Sequence, residues 1–243
     1  AFDGLNLMYA TREGILKHCS PRNARLLGPL GLRFVENRRP SLEAQICNLA
    51  DEIAYNNHDV DDGLRSGLIT LDQLEGIALF ARHAAETRST YPNISGRRLI
   101  HETIRRMIDA LITDLLVTSR QRIAKHAPAT LDDIHTAPEL IGFSETMAAE
   151  NRELKTFLRK ELYRHHEVLR MTNKAGRIIR ELFAAFMDDP RLLPPQYQAM
   201  GQQTSDDPLI DHPIARAVAD YIAGMTDRYA IKEHRRLFAV GEI

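Results

Sequence analysis

Between Arg97 and His126, apolar side chains fall at Leu99, Ile100, Ile104, Met107, Ile108, Leu111, Ile112, Leu115 and Leu116. Steps of three and four residues mark one face of an α-helix. Unbroken, a helix of about thirty residues would be about 45 Å long. The same period predicts helices over 5–18, 42–58, 71–88, 145–169, 173–188 and 213–238. Their starts carry local signals: Ser41 as an N-cap, Thr70 with Gln73 as a capping box, and Pro213 in a first turn. Pro190, Pro194 and Pro195 punctuate the stretch before the last helix, and GQQTSDDP over 201–208 reads as a mobile loop. No segment alternates as a strand would, and no repeat is visible. The predicted fold class is all-α, a bundle of long helices in a single domain.

With 243 residues, 44% of them apolar and 27% charged, the chain is long enough for a substantial core. No apolar run approaches the length of a membrane span, and no leader sequence is visible. Cys19 and Cys47, without a CxxC spacing, read as free thiols of a reducing compartment, so a cytoplasmic location is expected. A net charge of −1 argues against a dedicated nucleic-acid binder.

The stretch NLADEIAYNNHDVDDG, residues 48–63, concentrates acids at the end of an otherwise apolar helix. On a helical wheel Leu42, Ile46, Leu49 and Ile53 form one stripe, and Asp51 lies opposite, among the small residues Ala44, Cys47 and Ala54. A carboxylate buried there would need a cation, hydrogen bonds or a cavity. Asp51, Tyr55 and Asp59 follow at i, i+4 and i+8, one turn apart on one face. Such a row could line a site, with one carboxylate on a metal, a ring against a sugar and a second carboxylate on hydroxyls. Equally, Asp51 could pair with an arginine, Tyr55 belong to the core and Asp59 cap the next turn.

Several blocks of the sequence bring a family into view. PSLEAQICNLADEIAYNNHDVDDGLRSG, FDGLNLMYATREGILKH, ELYRHHEVLRMTNKAGRIIRELF and VADYIAGMTDRYAIKEHRRLF resemble, in order and from end to end, the dGTP triphosphohydrolase-like branch of the HD phosphohydrolase superfamily. The resemblance implies a helical HD-type fold that cuts a deoxynucleoside triphosphate into deoxynucleoside and inorganic triphosphate. It also implies homo-oligomers, hexamers among them. In that family a histidine, a His-Asp pair and a distant aspartate hold a divalent metal, and the resemblance assigns the last position to Asp51. It sets Tyr55 against the deoxyribose and Asp59 on the sugar 3′-hydroxyl. Lys155 and Tyr163, in LKTFLRKELYRH, match positions that contact phosphate and nucleotide. Mg²⁺ or Mn²⁺ is the first expectation for the metal, and Fe²⁺, Co²⁺ and Ni²⁺ also tolerate such mixed ligands.

The sequence departs from the family pattern at its start. The first histidine, the His-Asp pair and the histidine general acid are expected upstream of Ala1, so residues 1–243 read as the C-terminal part of the domain, inactive alone. His58–Asp59 does not replace the missing pair. A set built from His18, His58, Asp59 and Asp109 has no support in the matched blocks. The alternatives are a nucleotide-binding or sensing module that has lost catalysis, or another HD phosphohydrolase.

Lys160 and Arg164 join Lys155 as candidates to balance the triphosphate charge; a solvated helix face is the other reading. Arg97, Arg98, Arg105 and Arg106 read first as a solvated face or subunit contact. Their second reading is weak binding of an effector dNTP or single-stranded DNA. His165 and His166 read as structural or pocket-edge residues. Gly224 is expected to allow close helix packing, and Asp227 to satisfy a buried arginine or backbone group.

Overall fold

The computed structural model describes residues 4–16, 19–202, 212–239 and 241, and among them every regular element is helical. The main helices are α1 (Tyr9–Ile15), α2 (Leu42–Ser66), α3 (Ala78–Thr90), α4 (Gly96–His126), α5 (Glu145–Phe157), α6 (His166–Asp188), α7 (Pro195–Gln202), α8 (Pro213–Ala223) and α9 (Asp227–Phe238). The all-α expectation is met. Within the chain two compact units are distinguishable, residues 1–163 and 164–243. Of the expected mobile loop, residues 203–208 lie outside the described residues, as does His18.

In the first unit, α2 packs on α4 and α4 on α3. Ile53 and Val60 of α2, Phe80 of α3, Met107, Leu111 and Leu115 of α4, and Leu154 of α5 share one core. Ser41 caps α2 by accepting a hydrogen bond from the Ala44 amide at 3.3 Å. The sequence reading ended this helix near residue 58, but it continues eight residues further, through the Asn- and Asp-rich stretch. Val60 falls on the same face as Ile53 and is fully buried, so packing overrides the local preference of Asn and Asp for turns. Gly67 ends the helix at φ 75°, and the Leu68 amide donates back to the Gly63 carbonyl at 3.0 Å, a left-handed cap suited to glycine.

Two other expected helices are broken. The 71–88 segment splits into a single turn, Leu71–Leu74, and α3. Between them lie Gly76 and an extended Ile77, and the Glu153 carboxylate accepts from the Ala78 amide at 3.1 Å, capping α3 from another helix. The 145–169 segment is α-helical to Phe157, then widens into a π turn, Leu158–Leu162, in which the Tyr163 amide donates to the Leu158 carbonyl at 3.0 Å, and α-helix resumes at His166. The extra residue in that turn resets the face on which Tyr163 emerges. Near the N-terminus, Glu13 of α1 and Arg33 form a buried ion pair at 3.0 Å.

The second unit contains α6 to α9 around Leu182, Phe186, Leu193, Val218 and Tyr221. The expected 213–238 helix is two helices here. Gly224 closes α8, and Thr226 starts α9 by accepting from the Tyr229 amide at 3.3 Å. Asp227, expected to satisfy a buried group, is instead exposed in the first turn of α9, where its charge complements the helix dipole.

Candidate functional site

The outer face of α2 organises the candidate site. Asp51 and Tyr55 are exposed, and Asp59 is half-buried one turn further along. Tyr55 is 66% exposed, which removes it from the core. Asp59 sits inside a continuous helix and caps nothing. Its Oδ2 instead accepts a hydrogen bond from the phenol of Tyr163, the residue placed by the π turn. Burial first, and the Asp59 carboxylate second, push that phenol up to about 12. Tyr163 therefore stays protonated and remains a donor throughout the physiological range.

Lys155 comes from α5. Its Nζ lies 3.0 Å from Oε2 of Glu52, the neighbour of Asp51. The other Glu52 oxygen accepts from Asn151 Nδ2 at 2.7 Å, and Asn151 Oδ1 accepts from Asn56 Nδ2 at 3.3 Å. Asn56 and Asn151 are buried, so this chain of bonds joins α2 to α5 beneath the exposed row. Both oxygens of Glu52 are engaged, which fixes the carboxylate and, through it, the lysine. Sequence reasoning missed Glu52, Asn56 and Asn151. The only available signal was the i, i+4 spacing of Glu52 with Asn56 and of Asn151 with Lys155.

The structure thus brings Asp59 and Tyr163 into contact and sets Lys155 one residue from Asp51 by way of Glu52. It does not do the same for Lys160, which is 80% exposed at its side chain and paired with Glu161 at 2.8 Å. His58 and Asp109 are exposed on different helices, α2 and α4. Among the described residues, no three or more His, Cys, Asp or Glu side chains gather as they would around a metal ion. The described residues do not by themselves form a metal site.

Against known proteins, the family described as phosphohydrolase-associated domain matches residues 141–236. The chain is 62% identical over 242 residues to a deoxyguanosinetriphosphate triphosphohydrolase-like protein of Ralstonia pickettii, covering 100% of this chain and 60% of the relative. Proteins of the same description from Bordetella pertussis and Nitrosomonas europaea are 61% and 54% identical, each over 99% of this chain and over 60% and 62% of their own lengths. The chain therefore spans about three fifths of the length of the curated relatives it matches. No helix among the described residues is long and apolar enough to cross a membrane. Residues 1–243 are thus closely similar, from one end to the other, to about three fifths of these deoxyguanosinetriphosphate triphosphohydrolase-like proteins.

Proposed function

We propose that residues 1–243 carry the sugar- and phosphate-binding wall of a deoxynucleoside triphosphate triphosphohydrolase. The supporting observation is the convergence of Asp51, Tyr55 and Asp59 along α2 with Lys155 and Tyr163 from α5 and its π turn. In this reading Tyr163 holds Asp59 through Oδ2, and Oδ1 accepts the sugar 3′-hydroxyl. The exposed Tyr55 ring packs on the deoxyribose, where a 2′-hydroxyl would crowd it. Glu52 steadies Lys155, whose ammonium balances phosphate charge. Asp51 gives one carboxylate to a divalent metal, Mg²⁺ or Mn²⁺ first, whose other ligands lie outside residues 1–243. Free Cys19 and Cys47 agree with a cytoplasmic setting.

This chain alone is then expected to bind the nucleotide without turning it over. The test uses a protein of the relatives' length that carries residues 1–243 unchanged, with Mn²⁺ and dGTP, and monitors release of inorganic triphosphate. Release that is abolished by Asp51→Ala supports the reading. Turnover unchanged by Asp51→Ala removes Asp51 from the site. Tyr55→Ala is expected to erode the preference for deoxy over ribo substrates, and an undiminished preference would remove Tyr55 from the sugar.

A further inference from the structure

Within the second unit α6 packs on α9, and the two helices leave a groove between them. Met171, Ala175, Ile178 and Ile179 of α6, with Ala230 and Ile231 of α9, line one hollow of about 190 Å³. On both helices the steps are three or four residues, so about two turns of each face the groove. Side chains of this kind are normally covered, yet Met171 is 66% and Ile179 50% exposed. Apolar surface grouped in this way marks an interaction site. A second hollow, of about 220 Å³, adjoins the first and shares Lys174, Ile178 and Ile231 with it. Its other walls are charged: Arg177, Glu181, His234 and Arg235.

Charge sorts along the groove. In the second hollow the one carboxylate is already engaged. Glu181 Oε1 accepts from Arg177 Nε at 2.7 Å, and Oε2 lies 2.6 Å from His234 Nε2. Lys174 and Arg235 have no carboxylate within ion-pair distance among the described residues. The second hollow therefore has cations to spare. The first holds one acid, Asp227, which disfavours a carboxylate at that end. The complementary occupant is apolar at the first hollow and acidic at the second.

A second copy laid face to face would set Lys174 and Arg235 against the same cations. A bilayer would meet a recessed floor, because Ile178 and Ile231, which join the two hollows, are half-buried between the helices. A third helix suits the shape, since its ridge of side chains enters the groove between two others. We propose that the α6–α9 groove is a docking site for an acidic amphipathic α-helix of another protein. Its apolar anchors fill the first hollow, and its carboxylates meet Lys174 and Arg235. The surface belongs to α6 and α9 alone and does not rest on the site proposed along α2.

The test is fluorescence anisotropy with a labelled model helix of about fifteen residues, long enough to fold in isolation when alanine-rich. It carries leucines at i, i+4 and i+7 and glutamates flanking the last of them. Saturable one-to-one binding to the 1–243 chain is expected, and to a protein of the relatives' length that carries residues 1–243 unchanged. Ile179→Glu should weaken it by at least about tenfold, as loss of a central apolar anchor does. Lys174→Glu with Arg235→Glu should weaken it similarly, and a peptide with lysines in place of the glutamates should restore binding to that variant alone. Unchanged far-UV circular dichroism shows that each variant folds. The proposal is overturned if no saturable binding occurs, or if the lysine peptide binds the parent as well as the glutamate peptide does. Binding to the 1–243 chain but not to the longer protein overturns it in favour of a segment of the longer chain. Self-association abolished by Ile179→Glu overturns it in favour of a second copy, and capture by phosphatidylserine vesicles abolished by the same change overturns it in favour of a membrane.

Discussion

Replacing Asn151 with alanine tests whether the polar chain beneath the exposed row holds α5 against α2. Asn151 is 4% exposed and makes two bonds across the helix pair. Its 2.7 Å bond to Glu52 is charge-assisted but ends on a carboxylate whose side chain is 30% exposed, so we count about 1.5 kcal/mol, the low end for such bonds. Truncation also strands the Asn56 amide donor, 8% exposed, at about 1 kcal/mol. Alanine returns about 0.5 kcal/mol through its better helix propensity. The expected net loss is about 2 kcal/mol, or a fall of about 4–8 °C in melting temperature for a chain of this size. Urea denaturation followed by far-UV circular dichroism measures it. A double-mutant cycle with Asn56→Ala should show a coupling of about 1 kcal/mol. A loss below about 0.5 kcal/mol, or strictly additive mutations, would refute the network as an energetic link.

Three further outcomes follow from the geometry. The Tyr163 phenol should titrate near 12, and Asp59→Asn should bring it down, as read by absorbance of the phenolate. Because the folded state keeps this proton longer than the unfolded chain, its contribution to stability is complete below pH 10 and is lost as pH rises toward 12; a Tyr163→Phe variant should lack that alkaline loss. Gly63→Ala would put a Cβ 2.8 Å from Cδ1 of buried Ile69, and the overpacking cost of about 1–3 kcal/mol should exceed the helix gain of about 1 kcal/mol. Adding Ile69→Ala, which removes both Cδ1 and the Cγ1 atom 2.9 Å from the new Cβ, should cost less in the Gly63→Ala background than in the parent, as read in thermal melts. Glu102, held by Arg105 foremost and also by Arg106, should stay ionised down to about 2, and an NMR titration of Arg105→Ala with Arg106→Ala should return it toward the ordinary carboxylate range.

How much of this was legible beforehand differs from element to element. The periodicity of α4 placed its ends within one residue of those observed, because a long apolar stripe and a polar counter-face leave one solution. The Ser41 and Thr70 caps were equally readable, since capping is a contact between near neighbours. The breaks were not. The start of α3 is set by Glu153, seventy-five residues away, and the continuation of α2 by the core around Val60. The row of Asp51, Tyr55 and Asp59 was visible as a spacing, but spacing could not say whether Tyr55 faced the core or the solvent.

The sequence by itself determined that the chain is helical, where α2, α4, α5 and α8 begin, and, through its long blocks of resemblance, which proteins it is similar to. Those properties rest on local periods, near-neighbour hydrogen bonds and residue identity. Only the tertiary structure decided that Tyr55 lies outside the core, that Tyr163 reaches Asp59 by way of a π turn, and that Glu52 holds Lys155. The last two join residues roughly a hundred positions apart. Such contacts exist only after apolar burial has brought α2 and α5 together, because no local preference of either segment encodes the other.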